Sequence, residues 1–255
     1  MIPFAIARQT VREALRRRVM WIFLVSGVFL IALGPVFGFL SPKDSQTILR
    51  SLGLAAVLLA GLFITIVTCI YLIPVEIERR TIYTVLSKPV QRYQFVLGKF
   101  LGGFSVVFIN VGAMGLVFLA MIWKQEGHLP QEMIQGVVMT FFQMMMLAAL
   151  SIFFSTFATP VVNFFLSFGI FLIGNLSSVT DSLTTNRNPV VRIAGNIVHY
   201  LIPNFGNFNI QNQIIHPTSE IQNMNGYIQQ NIVYAIVYSL VLLMLAVLIF
   251  DRREV

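Results

Sequence analysis

The chain has 255 residues, of which 57% are hydrophobic and 11% charged, with a mean hydropathy of +0.82 and a formal net charge of +7. A soluble domain is nearer half apolar and a quarter charged, so this composition excludes a water-facing exterior and requires an integral membrane protein. The single cysteine, Cys69, excludes a disulfide framework and a cysteine-based metal site.

Residues 1–18 read as an amphipathic helix. Phe4, Ala7, Val11 and Ala14 recur at 3-4-3 spacing on one face with Arg8, Arg12 and Arg16 beside them, which suits a helix lying in a headgroup layer. The apolar run that follows is long enough to span, and Gly34-Pro35 offers no small-residue cleavage site, so an uncleaved N-terminus is expected. About 20 apolar residues cross a bilayer as helix. Six spans follow, at 19–40, 53–74, 100–123, 134–156, 161–180 and 231–250, in a single all-α domain covering residues 1–255. The apolar stretch from 134 to 180 is too long for one helix. It divides at Thr159-Pro160, a capping residue followed by proline at the first helical position. Gly34/Gly38 and Gly98/Gly102 stand at the spacing that lets helix backbones approach closely in lipid.

Residues 181–230 form a long segment outside the spans, rich in Asn and Gln from 187 onward. Within it, "VVRIAGNIVHYLIP" puts Val190, Ala194, Ile197, Val198 and Leu201 on one helical face, as expected of a piece lying on the outer interface or capping the bundle.

Lys and Arg beside the spans set orientation. One side receives Arg8, Arg12, Arg16, Arg17, Arg18, Arg79, Arg80, Lys88, Arg92, Lys99, Arg252 and Arg253; the other receives Lys43, Arg50, Lys124, Arg187 and Arg192. That imbalance predicts both termini and the 75–99 loop in the cytoplasm. The positive charge therefore belongs with lipid headgroups and does not argue for nucleic acid.

Several chemistries have no residues to carry them. No phosphate-binding G-x-x-x-x-G-K-[ST], no G-x-S-x-G and no H-E-x-x-H occurs. His128, His199 and His216 are scattered without a carboxylate partner at ligand spacing. The spans hold no Asp, Glu, Lys or Arg away from their ends, which argues against a proton relay or an intramembrane acid–base enzyme acting on lipid. No catalytic, metal or cofactor-binding residue is expected. What the spans carry is amide, at Asn110, Gln143, Asn163 and Asn175, readable as a polar translocation track at a subunit seam or as cross-helix hydrogen bonds. Met144 to Met146 and the Phe residues from 153 to 171 read as an adaptable apolar route or as lipid-facing surface.

Charge concentrates instead in "PVEIERRTIYTVLSKPVQRYQFVLGKF", residues 74–100. Pro74 ends or kinks the second span, no Pro or Gly interrupts Val75 to Ser87, and Glu76 stands four residues before Arg80, so a short helix is expected there until Pro89 stops it. The third span then starts near Gln91 to Tyr93, with Lys99 snorkelling to the headgroups. The result is a helical elbow joined rigidly to two spans. The positive-inside rule accounts for its basic residues but not for Glu76 and Glu78, since acidic residues contribute little to topology. Paired opposite charges on a rigid elbow suit docking to a soluble protein.

The stretch "EIERRTIYTVLSKPVQRYQFVLGKFLGG" resembles the cytoplasmic signature of permease subunits of ATP-binding cassette transporters of the type-2 exporter class. The matching positions are Glu76, Glu78, Thr81, Ser87, Pro89, Val90, Arg92, Gly98 and Lys99. The compact branch that includes the permease of the nitrous-oxide reductase maturation system is the most similar. "FSTFATP" at 154–160, "YLIPNFGNFN" at 200–209 and the closing "FDRREV" extend the resemblance over nearly the whole chain, while Arg80 departs from the Gly common before the Thr.

The resemblance implies that 75–88 is the coupling helix, seated in a groove of a separate ATPase subunit through Glu76, Glu78, Arg79, Arg80, Thr81 and Thr84. It implies two ATPase copies beneath two permeases, identical or paralogous, in a bacterial inner membrane, with ATP-driven closure rocking the spans to export a substrate. The alternative is a membrane anchor whose ATPase drives assembly or remodelling with no solute flux. On either reading the chain itself is not an enzyme.

Overall fold

The computed structural model describes residues 2–40, 44–78, 91–176, 184, 192–193, 195–196, 202–210 and 223–252. Eight helices lie within them: α1 (Ile2–Leu15), α2 (Arg18–Leu40), α3 (Ser45–Cys69), α4 (Pro74–Glu78), α5 (Arg92–Glu126), α6 (Gln131–Ser155), α7 (Pro160–Asn175) and α8 (Met224–Arg252). A 3₁₀ turn occupies Gly206–Phe208. Five helices, α2, α3, α5, α6 and α8, are long and apolar enough to cross a membrane. The described part of the fifth predicted span, α7, has 16 residues. At 1.5 Å per residue it covers about 24 Å, short of the ~30 Å hydrocarbon core.

α3 and α8 start well before their apolar windows. α3 starts at Ser45 instead of 53, since Arg50 is neutralised by Glu126 at the end of α5. α5 starts at Arg92, within the Gln91 to Tyr93 start that the sequence marks, and its Lys99 meets Glu76. α8 starts at Met224 instead of 231, where Asn223 Oδ1 accepts the Gly226 N–H at 3.1 Å and caps the helix. The break at Thr159-Pro160 falls as the sequence predicts, with Pro160 opening α7 after an extended Thr159.

α6 is the hub. It packs on α3, α5, α7 and α8, and its Met144, Met146, Leu147, Ala148 and Ala149 are buried. A helix apolar on every side belongs in the interior. The methionines of "MMM" are therefore core, neither a route nor lipid surface. α2 and α8 form the periphery and expose Ile22, Val25, Phe29, Val237, Leu240, Met244 and Leu248, as lipid-facing helices do.

α1 turns inward most of the apolar face its sequence marks, Ala7, Val11 and Ala14, but rotated so that Phe4 is left out. Ala7, Thr10 and Ala14 are buried and Ile6 is half-buried, whereas Phe4 is 76% exposed. The cause lies on α5, where Gly98 and Gly102 open a groove for α1. A Cβ at Gly98 would come within 2.9 Å of Ile6 Cβ and of Pro3 O; one at Gly102 would come within 2.5 Å of Thr10 Cβ and 3.0 Å of Ala7 O. Gly34 and Gly38 serve α2 in the same way against Leu49 and Ser45 of α3. Gly102→Leu is therefore expected to lift α1 off α5, at roughly 1–3 kcal/mol of overpacking, enough to raise tryptic cleavage at Arg8 and Arg12 by about ten-fold. Gly112→Leu, with nothing within 4 Å of its Cβ position, is the control that leaves cleavage unchanged.

Residues 187–230 are described only in part, and Val190, Ala194, Ile197, Val198 and Leu201, the face of the expected helix, lie outside the described residues. The described piece 202–210 wedges into the bundle: Phe205, Phe208 and Ile210 are buried, and Phe171 of α7 packs on Phe205 at 5.1 Å.

Candidate coupling site

α3 ends at Cys69, and the chain turns through residues 70–73 before α4 opens with Pro74. Proline has no N–H and would clash with the carbonyl four residues back, so the span cannot run straight through it. Ile73 is buried, and its carbonyl accepts the N–H groups of Glu76 and Ile77 at 3.1 and 3.3 Å. That fixes where the α4 side chains point. Glu76 turns inward, and its carboxylate accepts a hydrogen bond from Lys99 Nζ of α5. Glu78, two residues on, is exposed.

Lys99 does not snorkel to the headgroups. Its side chain is 5% exposed, with the ammonium 5.7 Å from the centre of the Phe95 ring. The α1 helix covers the groove on either side of it at Gly98 and Gly102, and a carboxylate within reach replaces water. Phe95 in turn stacks on Phe250 of α8 at 5.7 Å. Arg92 Nη1 donates to the carbonyls of Asp251 and Phe250 at 2.8 and 3.2 Å, a cation on the negative end of the α8 dipole. Its Nε also lies 3.9 Å from Asp251 Oδ1. One end of the bundle thus ties the end of α3, α4, the start of α5 and the last turn of α8 into one unit.

Of the six residues assigned to the coupling interface, the structure describes two. Glu76 is engaged within the chain and Glu78 faces outward; Arg79, Arg80, Thr81 and Thr84, and with them the Glu76–Arg80 spacing and most of the 75–88 elbow, lie outside the described residues.

The four span amides all bond within this chain. Asn110 donates to Val106 O of its own helix at 2.8 Å. Gln143 Nε2 donates to Asn175 Oδ1 at 3.2 Å and to Phe205 O at 3.1 Å, holding α6, α7 and the 202–210 wedge together. Asn163 Nδ2 reaches back across the hairpin to Ser151 O at 2.8 Å, while its Oδ1 accepts from Ser167 at 2.9 Å. Asn110, Gln143 and Asn163 are buried, so these bonds sit in the core of one subunit, where each is worth about 0.6 kcal/mol on average.

At the opposite end, Arg50 Nε and Nη2 grip Glu126 Oε1 and Oε2 at 2.9 and 2.7 Å, joining the first turns of α3 to the end of α5. His128 Nδ1 lies 3.0 Å from Glu126 O. Among the described residues no group of three or more His, Cys, Asp or Glu could hold a metal ion. Neither ion pair was signalled by spacing, because Arg50 and Glu126 are 76 residues apart and Lys99 and Glu76 are 23 apart. The available clue to Lys99 was its place between two groove glycines.

A comparison with curated proteins gave no match. A model of the ABC-2 family of transporter proteins matches residues 4–255, from the first turn of α1 through every span to the last residue, and the chain belongs to that family.

Proposed function

We propose that this ABC-2 permease subunit pairs with a second permease in the membrane and converts ATP hydrolysis in separate cassette ATPases into export of a substrate. In this reading both termini are cytoplasmic, the chain forms six spans with α7 and the residues after it as the fifth, and the 75–88 elbow seats in the ATPase. Glu78, Arg79, Arg80, Thr81 and Thr84 make the contact, and Glu76 holds the elbow's root. The amides at Gln143, Asn163 and Asn175 keep the helices of each subunit in register, Asn110 bonds within its own helix, and the translocation path lies between the two permeases. The compact nitrous-oxide-reductase-maturation branch is the proposed affiliation.

One observation carries the reading: the Glu76–Lys99 pair ties the root of the elbow to α5, in addition to the chain's own link to α3. A push on the elbow would then move two spans together, which is what a motor acting from outside the membrane needs. In vesicles holding the whole complex, ATP is expected to drive flux, and Glu78→Ala to lower both flux and permease-stimulated ATP turnover. Full turnover without flux of any cargo would favour the anchor reading instead.

A further inference from the structure

We infer that the outward face of α1 is a binding site for the anionic headgroups of phospholipids in the leaflet at this end of the bundle. The helix has three faces. Ile6, Ala7, Thr10 and Ala14 are spent on the glycine groove of α5. Phe4 (76% exposed) and Leu15 (36% exposed) form an apolar edge that no described residue covers. Beside that edge Arg8 and Arg12 stand about one turn apart on the helix, and Arg16 follows in the turn just past its end; all three are exposed.

Charge complementarity selects the occupant. The one carboxylate on α1 is Glu13, and it pairs with Arg17 at 3.2 Å. No described carboxylate pairs with Arg8, Arg12, Arg16 or the exposed Arg18. The apolar edge continues directly into the lipid-facing side of α2, where Trp21 is 58% exposed and its Nε1 donates to Leu15 O at 3.2 Å. An indole held at the junction of a basic helix and an apolar one marks the depth of the headgroups. A basic row at that depth, bordered by apolar side chains on one flank, fits phosphate-bearing anionic lipid; a soluble protein partner would leave Phe4 and Leu15 without cover. Because α1 rests on α5 at Gly98 and Gly102, flanking Lys99, headgroup binding braces the same unit that carries the elbow.

The test uses the full chain in lipid nanodiscs with Trp123→Phe, which leaves Trp21 as the sole tryptophan of the two. Brominated phosphatidylglycerol and brominated phosphatidylcholine are compared as quenchers at equal fraction in otherwise identical bilayers. The expected result is a local preference for phosphatidylglycerol of at least about three-fold, falling toward one in the Arg8→Gln/Arg12→Gln/Arg16→Gln variant and kept in the corresponding triple Lys variant. Equal quenching by the two lipids in the chain with all its arginines would overturn the proposal. So would a preference that survives the triple Gln change in protein whose thermal unfolding midpoint is unchanged. No lipid preference together with loss of the ATPase from the triple Gln variant would overturn it too, and give the face to the protein partner.

Discussion

Lys99→Met is expected to be among the most damaging single substitutions in the chain, because it removes the ammonium that neutralises the Glu76 carboxylate at a site built around a cation. Removing one partner of a buried pair costs roughly 3–5 kcal/mol, and the low end applies here since Glu76 keeps 18% of its side chain exposed. The readout is the midpoint of thermal aggregation for the detergent-solubilised complex, which should fall by several degrees. Glu76→Met/Lys99→Met should recover most of that loss, since two apolar side chains of similar volume tolerate the same site. The double variant then separates stability from coupling. If the pair transmits the elbow's movement to α5, the double variant is stable yet shows ATP turnover poorly linked to flux. A stable double variant with normal coupling would reduce the pair to a structural contact.

Arg50→Ala is the second large effect and has a different signature. The Glu126 side chain is 1% exposed and takes both of its charged hydrogen bonds from Arg50, so the truncation leaves a buried carboxylate with only the His128 ring, 4.0 Å away, beside it. About 3–5 kcal/mol is expected, read as loss of folded protein at growth temperature. Arg50→Lys should fall between, because an ammonium cannot reproduce the two parallel bonds of the guanidinium. Arg50 lies at the end of the bundle opposite the elbow, so whatever folded protein survives is expected to couple ATP to flux normally. The two ion pairs thus predict opposite outcomes in the surviving fraction.

The sequence made the helical class legible because it is set by local apolarity, and five helices long and apolar enough to cross a membrane fall on its apolar runs. At Ser45 the helix starts ahead of its apolar run because a polar residue ends an apolar window but does not end a helix when a distant side chain satisfies it, and at Met224 because Asn223 caps an earlier start. The same limit explains α1. Periodicity gives a helix and most of its buried face, but the burial of Thr10 and the exposure of Phe4 depend on a glycine groove over eighty residues downstream. Lys99 shows it most clearly. Next to an apolar run a lysine reads as snorkelling, and only the fold brings Glu76 to it. The spacing of Glu76 and Glu78 suggested two equivalent docking carboxylates, yet the turn at Ile73 and Pro74 aims one inward and the other outward.

The central claim is that the segment after Glu78 meets the ATPase. A photo-crosslinking amino acid placed at Thr84 in the assembled complex tests it most directly. The account predicts an adduct with the ATPase whose yield changes when ATP is added, as the elbow shifts in its groove. An intact complex that yields no adduct at Thr84, with or without ATP, would contradict it.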